Sequence, residues 1–261
     1  PQSLPANGNV VAWQEAVIGP EIANYRITDV RVQVGDRVKK GQVLARIADD
    51  TVASEQAEAK AAVAELEASA AEAKANAERA RDLREKGFYS AQLNTQYQTA
   101  QHTAQARLAA GQARLQAASL RLAKTAVLAP DDGVISAISV SEGAIVQAGN
   151  ELFRLIRQGR LEWRAEVKGE TLLKLAIGQE VIVNSPLGSE VKGRVRRLSP
   201  TIDVTTGNGL VYVDLPTGTN LKAGLNVSGS IGMSKRKALY VPSSAVVRSD
   251  KDAKVFKIGA D

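Results

Sequence analysis

Two stretches of this chain repeat each other at a constant offset of 108 residues. Val32, Gly35, Val38, Gly41, Leu44 and Arg46 recur as Val140, Gly143, Val146, Gly149, Leu152 and Arg154, and Ile27 and Val30 face Ile135 and Ile138. Each copy alternates apolar and polar residues, the period of half-buried strands, with glycines bracketing a short strand. Neither copy alone buries an apolar face, so the two must pair into one small flattened barrel. Its turns fall to Gly35, Gly41, Gly133, Gly143 and Gly149. A phosphate cradle at Gly35 and Gly41 is disfavoured, because the chain continues into another strand, Gln42 to Ile47, and not into a helix.

The insertion between the copies has a different character. From Thr51 to Lys86 nearly every residue is a strong helix former, without proline or glycine, and Ala91 to Lys124 is the same except for Gly111. Gly87 suits a helix C-cap and Ser90 the N-cap of a second helix, which predicts an antiparallel helical hairpin. In such a hairpin the numbers of facing residues sum to a constant. A sum of 181 sets Ala59 against Leu122, Val63 against Ala118, Leu66 against Leu115, Ala70 against Gly111, Ala73 against Leu108 and Ala77 against Ala104. Spacings alternating four and three are those of knobs-into-holes packing.

Glu58, Glu65 and Glu72 form a column, as do Arg107, Arg114 and Arg121. The same register lets them pair across the hairpin, each exposed pair contributing about 0.2 to 1 kcal/mol. The competing reading is that these charges face neighbouring subunits. A helix of this length reaches roughly 54 Å at ~1.5 Å per residue, so its purpose is reach.

Composition removes several function classes. The chain has no cysteine, one histidine (His102) and one methionine (Met233), which disfavours thiolate or His/Met metal sites and permits an oxidising compartment. A Ser/His/Asp constellation would have to use His102 on the helical arm, and no Walker-type sequence occurs, so the chain is expected not to be an enzyme and to carry no cofactor. The net charge of +6 is spread along the chain, with clusters at Arg194, Arg196, Arg197 and at Lys235, Arg236, Lys237. These read as solvated strand ends in preference to a contact with an anionic membrane surface or an acidic partner. No aromatic residues interleave with them, which argues against nucleic acid. No apolar run is long enough to span a membrane, and the chain opens at Pro1 without a leader pattern, so any anchor is expected to lie outside it.

The stretch Gly35-Asp36-Arg37-Val38-Lys39-Lys40-Gly41-Gln42-Val43-Leu44 resembles the biotinyl/lipoyl fold, with Tyr25 standing where the second copy has Gly133. Carrier versions of that fold bear their modified lysine on a tight hairpin between the halves. Here the helical insertion replaces it, so Lys39 and Lys40 read as exposed charges. The re-entry segment Leu122-x-x-Thr125-x-Val127-x-Ala129-Pro130-x-x-Gly133-x-Ile135 is similar to that of haemolysin-D-type membrane fusion proteins. Leu221-x-x-Gly224-Leu225-x-Val227 and Leu239-Tyr240-Val241-Pro242-x-x-Ala245-Val246 look like that family's barrel end and its entry into a membrane-proximal domain. Arg79, Leu83 and Ser90 resemble the Arg/Leu/Ser motif with which such adaptors dock onto TolC-type channels. The plainer alternative is a solvated arginine, a seam leucine and a capping serine.

The resemblance implies a mixed α and β, elongated multidomain chain. Residues 1–18 would be N-terminal strands of the membrane-proximal or barrel region. Residues 19–47 and 129–156 would form the lipoyl-like domain, and 48–128 the hairpin with its tip at 86–91. Residues 157–236 would form a small antiparallel β-barrel with a brief helix at Thr171–Ala176, and 237–261 an incomplete membrane-proximal domain. It also implies a periplasmic adaptor, attached to the inner membrane through a segment outside this chain. Its partners would be an inner-membrane transporter, of the resistance-nodulation-division type by preference over an ATP-driven one, an outer-membrane channel, and further copies of itself in a ring of six. The rival class is a lipoyl or biotin carrier subunit.

Overall fold

The computed structural model describes residues 3–233, 245–249 and 252–255. Two compact units divide the chain, one of residues 1–11 and 161–261, the other Ala12–Arg160.

The first unit is a closed barrel. Its strands are β1 (Ser3–Ala12), β9 (Leu161–Lys168), β10 (Glu180–Asn184), β11 (Glu190–Ile202), β12 (Asn208–Asp214) and β13 (Asn226–Gly232), ordered β1-β13-β10-β11-β12-β9. Closure leaves no unpaired barrel edge. Alternate residues point inward, so Val181 and Val183, Val211 and Val213, and Val227 and Ile231 pack around a fully buried Trp163. Gly229 makes room for that indole, since a Cβ there would lie 2.7 Å from the Trp163 ring. A single-turn helix, α3 (Gly169–Leu172), follows β9, earlier than the expected Thr171–Ala176. The chain's later hairpin, β14 (Val246–Ser249) with β15 (Asp252–Val255), is antiparallel. The remainder of the expected membrane-proximal segment, 237–244, 250–251 and 256–261, lies outside the described residues.

The second unit joins the two repeat copies. Strands β2 (Glu15–Ile18), β4 (Arg37–Val38), β7 (Gly133–Ile138) and β8 (Phe153–Arg157) make one sheet in the order β2-β8-β7-β4. Strands β3 (Ile27–Val30), β5 (Val43–Ile47) and β6 (Ala126–Leu128) make the other, in the order β3-β5-β6. Strand β4 of the first copy pairs with β7 of the second, Val38 opposite Gly133. The core draws its matched residues from both copies: Ile27 and Ile135, Val38 and Val146, Leu44 and Leu152. Strand β2 belongs here, with Glu15–Ile18 paired to β8, and not with the barrel as expected for residues 1–18.

Gly35, Gly41, Gly143 and Gly149 all have positive φ, between 80° and 98°, the conformation for which glycine is the default residue. Gly133 differs from the expected turn. It is the first residue of β7 without positive φ, and its missing Cβ leaves space for the carbonyl oxygen of Ile156 on β8. Tight strand approach is therefore the reason for this glycine. Tyr25, at the equivalent position of the first copy, is partly buried against the core, and Asn24 beside it has φ of 67°.

Between β5 and β6 run two helices that pack on each other, α1 (Asp50–Glu85) and α2 (Ala91–Ala123). Val63, Ala70, Ala77 and Gly111 are buried, and Ala59, Leu66, Ala73, Ala104, Leu108, Leu115, Ala118 and Leu122 are half-buried. The pairing between them is shifted. Gly111 opposes Leu66 and Val63 and not Ala70, and Gln98 Nε2 donates to the Ala77 carbonyl at 3.2 Å where Ala104 was expected. Arg121 pairs with Glu55 at 2.9 Å and not with Glu58. The helices have slipped by about one and a half turns from the expected register. The physical reason is the turn: closure between Glu85 and Ala91 centres the pairing on Phe88, and rows of alanine offer little resistance to sliding.

Candidate docking site at the helical tip

The tip is built from the ends of α1 and α2. Helix α1 stops at Gly87, whose φ of 80° places it in the left-handed region. The Gly87 amide donates to the Arg84 carbonyl at 2.9 Å and the Phe88 amide to the Leu83 carbonyl at 2.8 Å. This double closure is a Schellman motif, and it satisfies carbonyls that the helix end leaves without intrahelical donors. Leu83 is thereby fixed by its backbone, with its side chain half-buried.

Helix α2 starts at Ser90, an extended residue whose Oγ accepts from the Leu93 amide at 3.2 Å. Capping uses an acceptor site on this hydroxyl and leaves its proton for an external acceptor. Ser90 is exposed, so capping and docking are compatible roles. Arg79 is also exposed, and its Nη1 donates to Asn76 Oδ1 at 3.1 Å, a contact within α1 that leaves other guanidinium donors directed outward.

Two features escaped the sequence reading. Phe88, between the two caps, is 76% exposed, and Tyr89 and Tyr97 stack with ring centroids 6.3 Å apart. Aromatics make up only 4% of the chain, so their concentration at the turn was the available signal. Asn94, one turn into α2, is 7% exposed with its Oδ1 unpartnered among the described residues.

Lys39 and Lys40 lie between β4 and β5, where the Lys39 amide donates to Gln42 Oε1 and the Lys40 amide to Asp132 Oδ1 at 2.7 Å. Nearby, hydrogen bonds from the Arg157 guanidinium and the Asp132 amide hold the Asp131 carboxyl below the usual carboxylate range. Among the described residues no three His, Cys, Asp or Glu side chains group as metal ligands do, and no helix is long and apolar enough to cross a membrane.

The barrel holds one charged cluster that was read as solvated strand ends. Arg196 sits at a register shift between Val195 and Arg197 in β11, which frees its side chain from the ladder. Its guanidinium pairs with Glu162 and, at 3.0 Å, with Asp214. Glu162 is 1% exposed and also accepts from Arg164 Nε at 2.8 Å.

One unit is thus a β-domain assembled from two chain segments with a helical pair inserted between them, and the other is a closed six-stranded barrel. The family model "RND MFP, barrel-sandwich hybrid domain" matches residues 15–158, and the chain belongs to this family of RND membrane fusion proteins. It is 29% identical over 257 residues to the nickel-cobalt-cadmium resistance protein NccB of Alcaligenes xylosoxydans xylosoxydans, covering 97% of this chain and 64% of that protein. It is 31% identical over 260 residues to the membrane fusion protein MtrC of Neisseria gonorrhoeae, covering 88% of this chain and 63% of that one. The chain thus spans less than two thirds of these relatives. The membrane fusion protein Spr0693 of Streptococcus pneumoniae R6 shares the fold, with a TM-score of 0.72 at 20% identity over 89% of this chain and all of that one.

Proposed function

We propose that the chain is the periplasmic adaptor of a tripartite export system, linking an inner-membrane transporter of the RND class to an outer-membrane TolC-type channel for export of small molecules. In this reading residues 19–47 and 129–156 form a lipoyl-type domain, residues 48–128 an antiparallel coiled-coil hairpin, and several copies form a ring, six by family analogy. The protein sits in the periplasm, held at the inner membrane by a segment outside this chain. Energy comes from the transporter, and the adaptor supplies geometry.

The observation that carries the proposal is the doubly capped tip. Helix α1, 36 residues long, sets Arg79 roughly 44 Å and Leu83 roughly 50 Å from its base at ~1.5 Å per residue, with Ser90 just past its far end. A Schellman closure and a serine cap pre-order that end, so docking there orders few further residues. Arg79 and Ser90 contribute exposed donors, Leu83 supports the turn, and Phe88 adds an apolar contact. A carrier role is disfavoured because α1 and α2 occupy the place between the halves where the modified lysine belongs.

The test substitutes Arg79→Asp and Ser90→Arg in the full-length protein and measures cross-linking to the outer-membrane channel together with export. Both should fall at least tenfold while the helical content is unchanged. Unchanged cross-linking and export would remove the tip from the mechanism.

A further inference from the structure

The charged columns of the helical pair stand out of step with each other. Glu58, Glu65 and Glu72 on α1 and Arg107, Arg114 and Arg121 on α2 are all exposed, and each column repeats every seven residues. Among the described residues only Arg121 of these six makes an ion pair, and its partner is Glu55 at 2.9 Å. One heptad nearer the tip on each helix, the same register sets Arg114 beside Ala62, and a heptad further it sets Arg107 beside Ser69. A displacement of α2 by three to four residues toward the tip would instead bring Arg121, Arg114 and Arg107 beside Glu58, Glu65 and Glu72.

The seam accepts such a displacement. Its positions alternate by three and four residues on both helices, so a step of half a heptad hands each α1 residue to the next seam residue of α2. Leu66 passes from Gly111 to Leu115, and Ala70 takes Gly111 in its place, which relieves the close approach of Leu66 to that glycine. Ala73 then meets Leu108 and Ala77 meets Ala104. The bond from Gln98 to the Ala77 carbonyl is given up, and no charged residue enters the seam.

Both ends of α2 can yield. At the tip Asn94 lies one turn after the Ser90 cap, 7% exposed and with its Oδ1 unpartnered among the described residues. Moved one turn outward, it reaches the height where Ser90 stands, and asparagine caps a helix as well as serine does. The turn that would unwind begins at Ala91, whose carbonyl already accepts from Thr95 Oγ1, a side-chain bond that competes with the helix. At the base, stretching Leu122, Ala123 and Lys124 from ~1.5 to ~3.3 Å per residue supplies about 5 Å, the travel of one turn. Two surface contacts resist it there: Arg121 Nη2 donates to the Tyr25 hydroxyl at 3.1 Å, and Lys124 Nζ lies 3.2 Å from a Glu21 carboxylate oxygen.

We infer that the helical pair has a second register, in which α2 stands one turn nearer the tip, the three glutamates pair with the three arginines, and Asn94 replaces Ser90 as the cap of α2. Tyr25 and Glu21 hold the first register, so an event at the base of the pair changes which residues the tip presents. This is a one-turn ratchet of one packed element past another. It goes beyond the docking proposal and is read within a single chain.

The chain has no cysteine of its own, so paired cysteines report the register directly. In the purified full-length protein, mildly oxidised at low concentration, Leu66→Cys with Gly111→Cys bridges in the first register and Leu66→Cys with Leu115→Cys in the second. Ala77→Cys with Ala104→Cys is an independent second-register pair. Both second-register bridges should form within tenfold of the first-register rate. They should also outpace by at least tenfold a control with Leu66→Cys and Ala113→Cys, since Ala113 is exposed on the outer side of α2. Arg107→Glu with Arg114→Glu should slow the second-register bridges at least fivefold and leave the first unchanged, and adding Glu65→Arg with Glu72→Arg should restore them. Tyr25→Phe with Glu21→Gln should speed them at least threefold. Second-register bridges no faster than the control, or indifferent to the charge reversals, would overturn the inference. Bridges that form only between two chains would overturn it as well, by assigning the columns to a neighbouring copy.

Discussion

Gly111 of α2 lies against Leu66 of α1 so closely that a Cβ on the glycine would stand 2.5 Å from Leu66 Cδ1. The two helices meet there with no room for a larger side chain. Gly111→Leu should therefore destabilise the helical pair by about 1 to 3 kcal/mol through overpacking. Leu66→Ala in the same chain should recover a measurable part of that loss, while Ala70→Gly should recover none. A double-mutant cycle on chemical unfolding, followed by helical circular dichroism, checks both statements.

Asn94 gives the opposite sign. Its buried Oδ1 lacks a donor, and an unsatisfied buried acceptor costs roughly 1 to 3 kcal/mol. Asn94→Leu is expected to raise the thermal midpoint of the helical signal, by an amount equivalent to about 1 kcal/mol. A lowered midpoint would mean that the amide has a partner worth more than its desolvation.

In the barrel, Arg196→Met removes one of the two guanidinium partners of Glu162 and leaves that buried carboxylate only half compensated. The expected loss is about 2 kcal/mol or more, below the range for a fully buried pair because Arg164 remains. Replacing Glu162 with Gln in the same chain should reduce the penalty. Denaturant midpoints of the single and double variants decide it.

The pH response of the second unit follows from Asp131. Its carboxyl is held below the ordinary value chiefly by the Arg157 hydrogen bond and then by the Asp132 amide. A depressed folded-state value means that the stabilisation is complete above the unfolded carboxylate pKa of about 4 and is lost as pH falls through the lower folded value. Unfolding midpoints measured from pH 5 down to pH 2 should decline, and Arg157→Gln should shallow that decline. An identical slope in the variant would contradict the assignment.

Much of this architecture was legible because it rests on period and repetition. The offset of 108 aligned Ile27 with Ile135 and Leu44 with Leu152, and both pairs meet in one core. The period also marks α1 and α2 as helices, and both are helical over nearly the residues it indicates. Their register was not legible, since sliding one alanine row over another exchanges small residues for small residues, and the choice falls to the turn at Gly87 and Ser90. Gly133 was misread because composition does not distinguish a left-handed turn from a close strand approach. Arg196 was misread because a bulge is invisible in a run of Arg194, Val195, Arg196 and Arg197. At the tip, the caps at Gly87 and Ser90 were visible, but the exposure of Phe88 depends on how the chain leaves the Schellman motif.

Strand β1 pairs with β13, Ser3 opposite Gly232, so the barrel is sealed by segments from distant parts of the chain. Until β13, the last strand of the barrel in sequence, takes its place, that seam stays open. During that interval β1 and the growing barrel both carry unpaired edges. Truncation within either β1 or β13 would therefore open the same seam of the barrel.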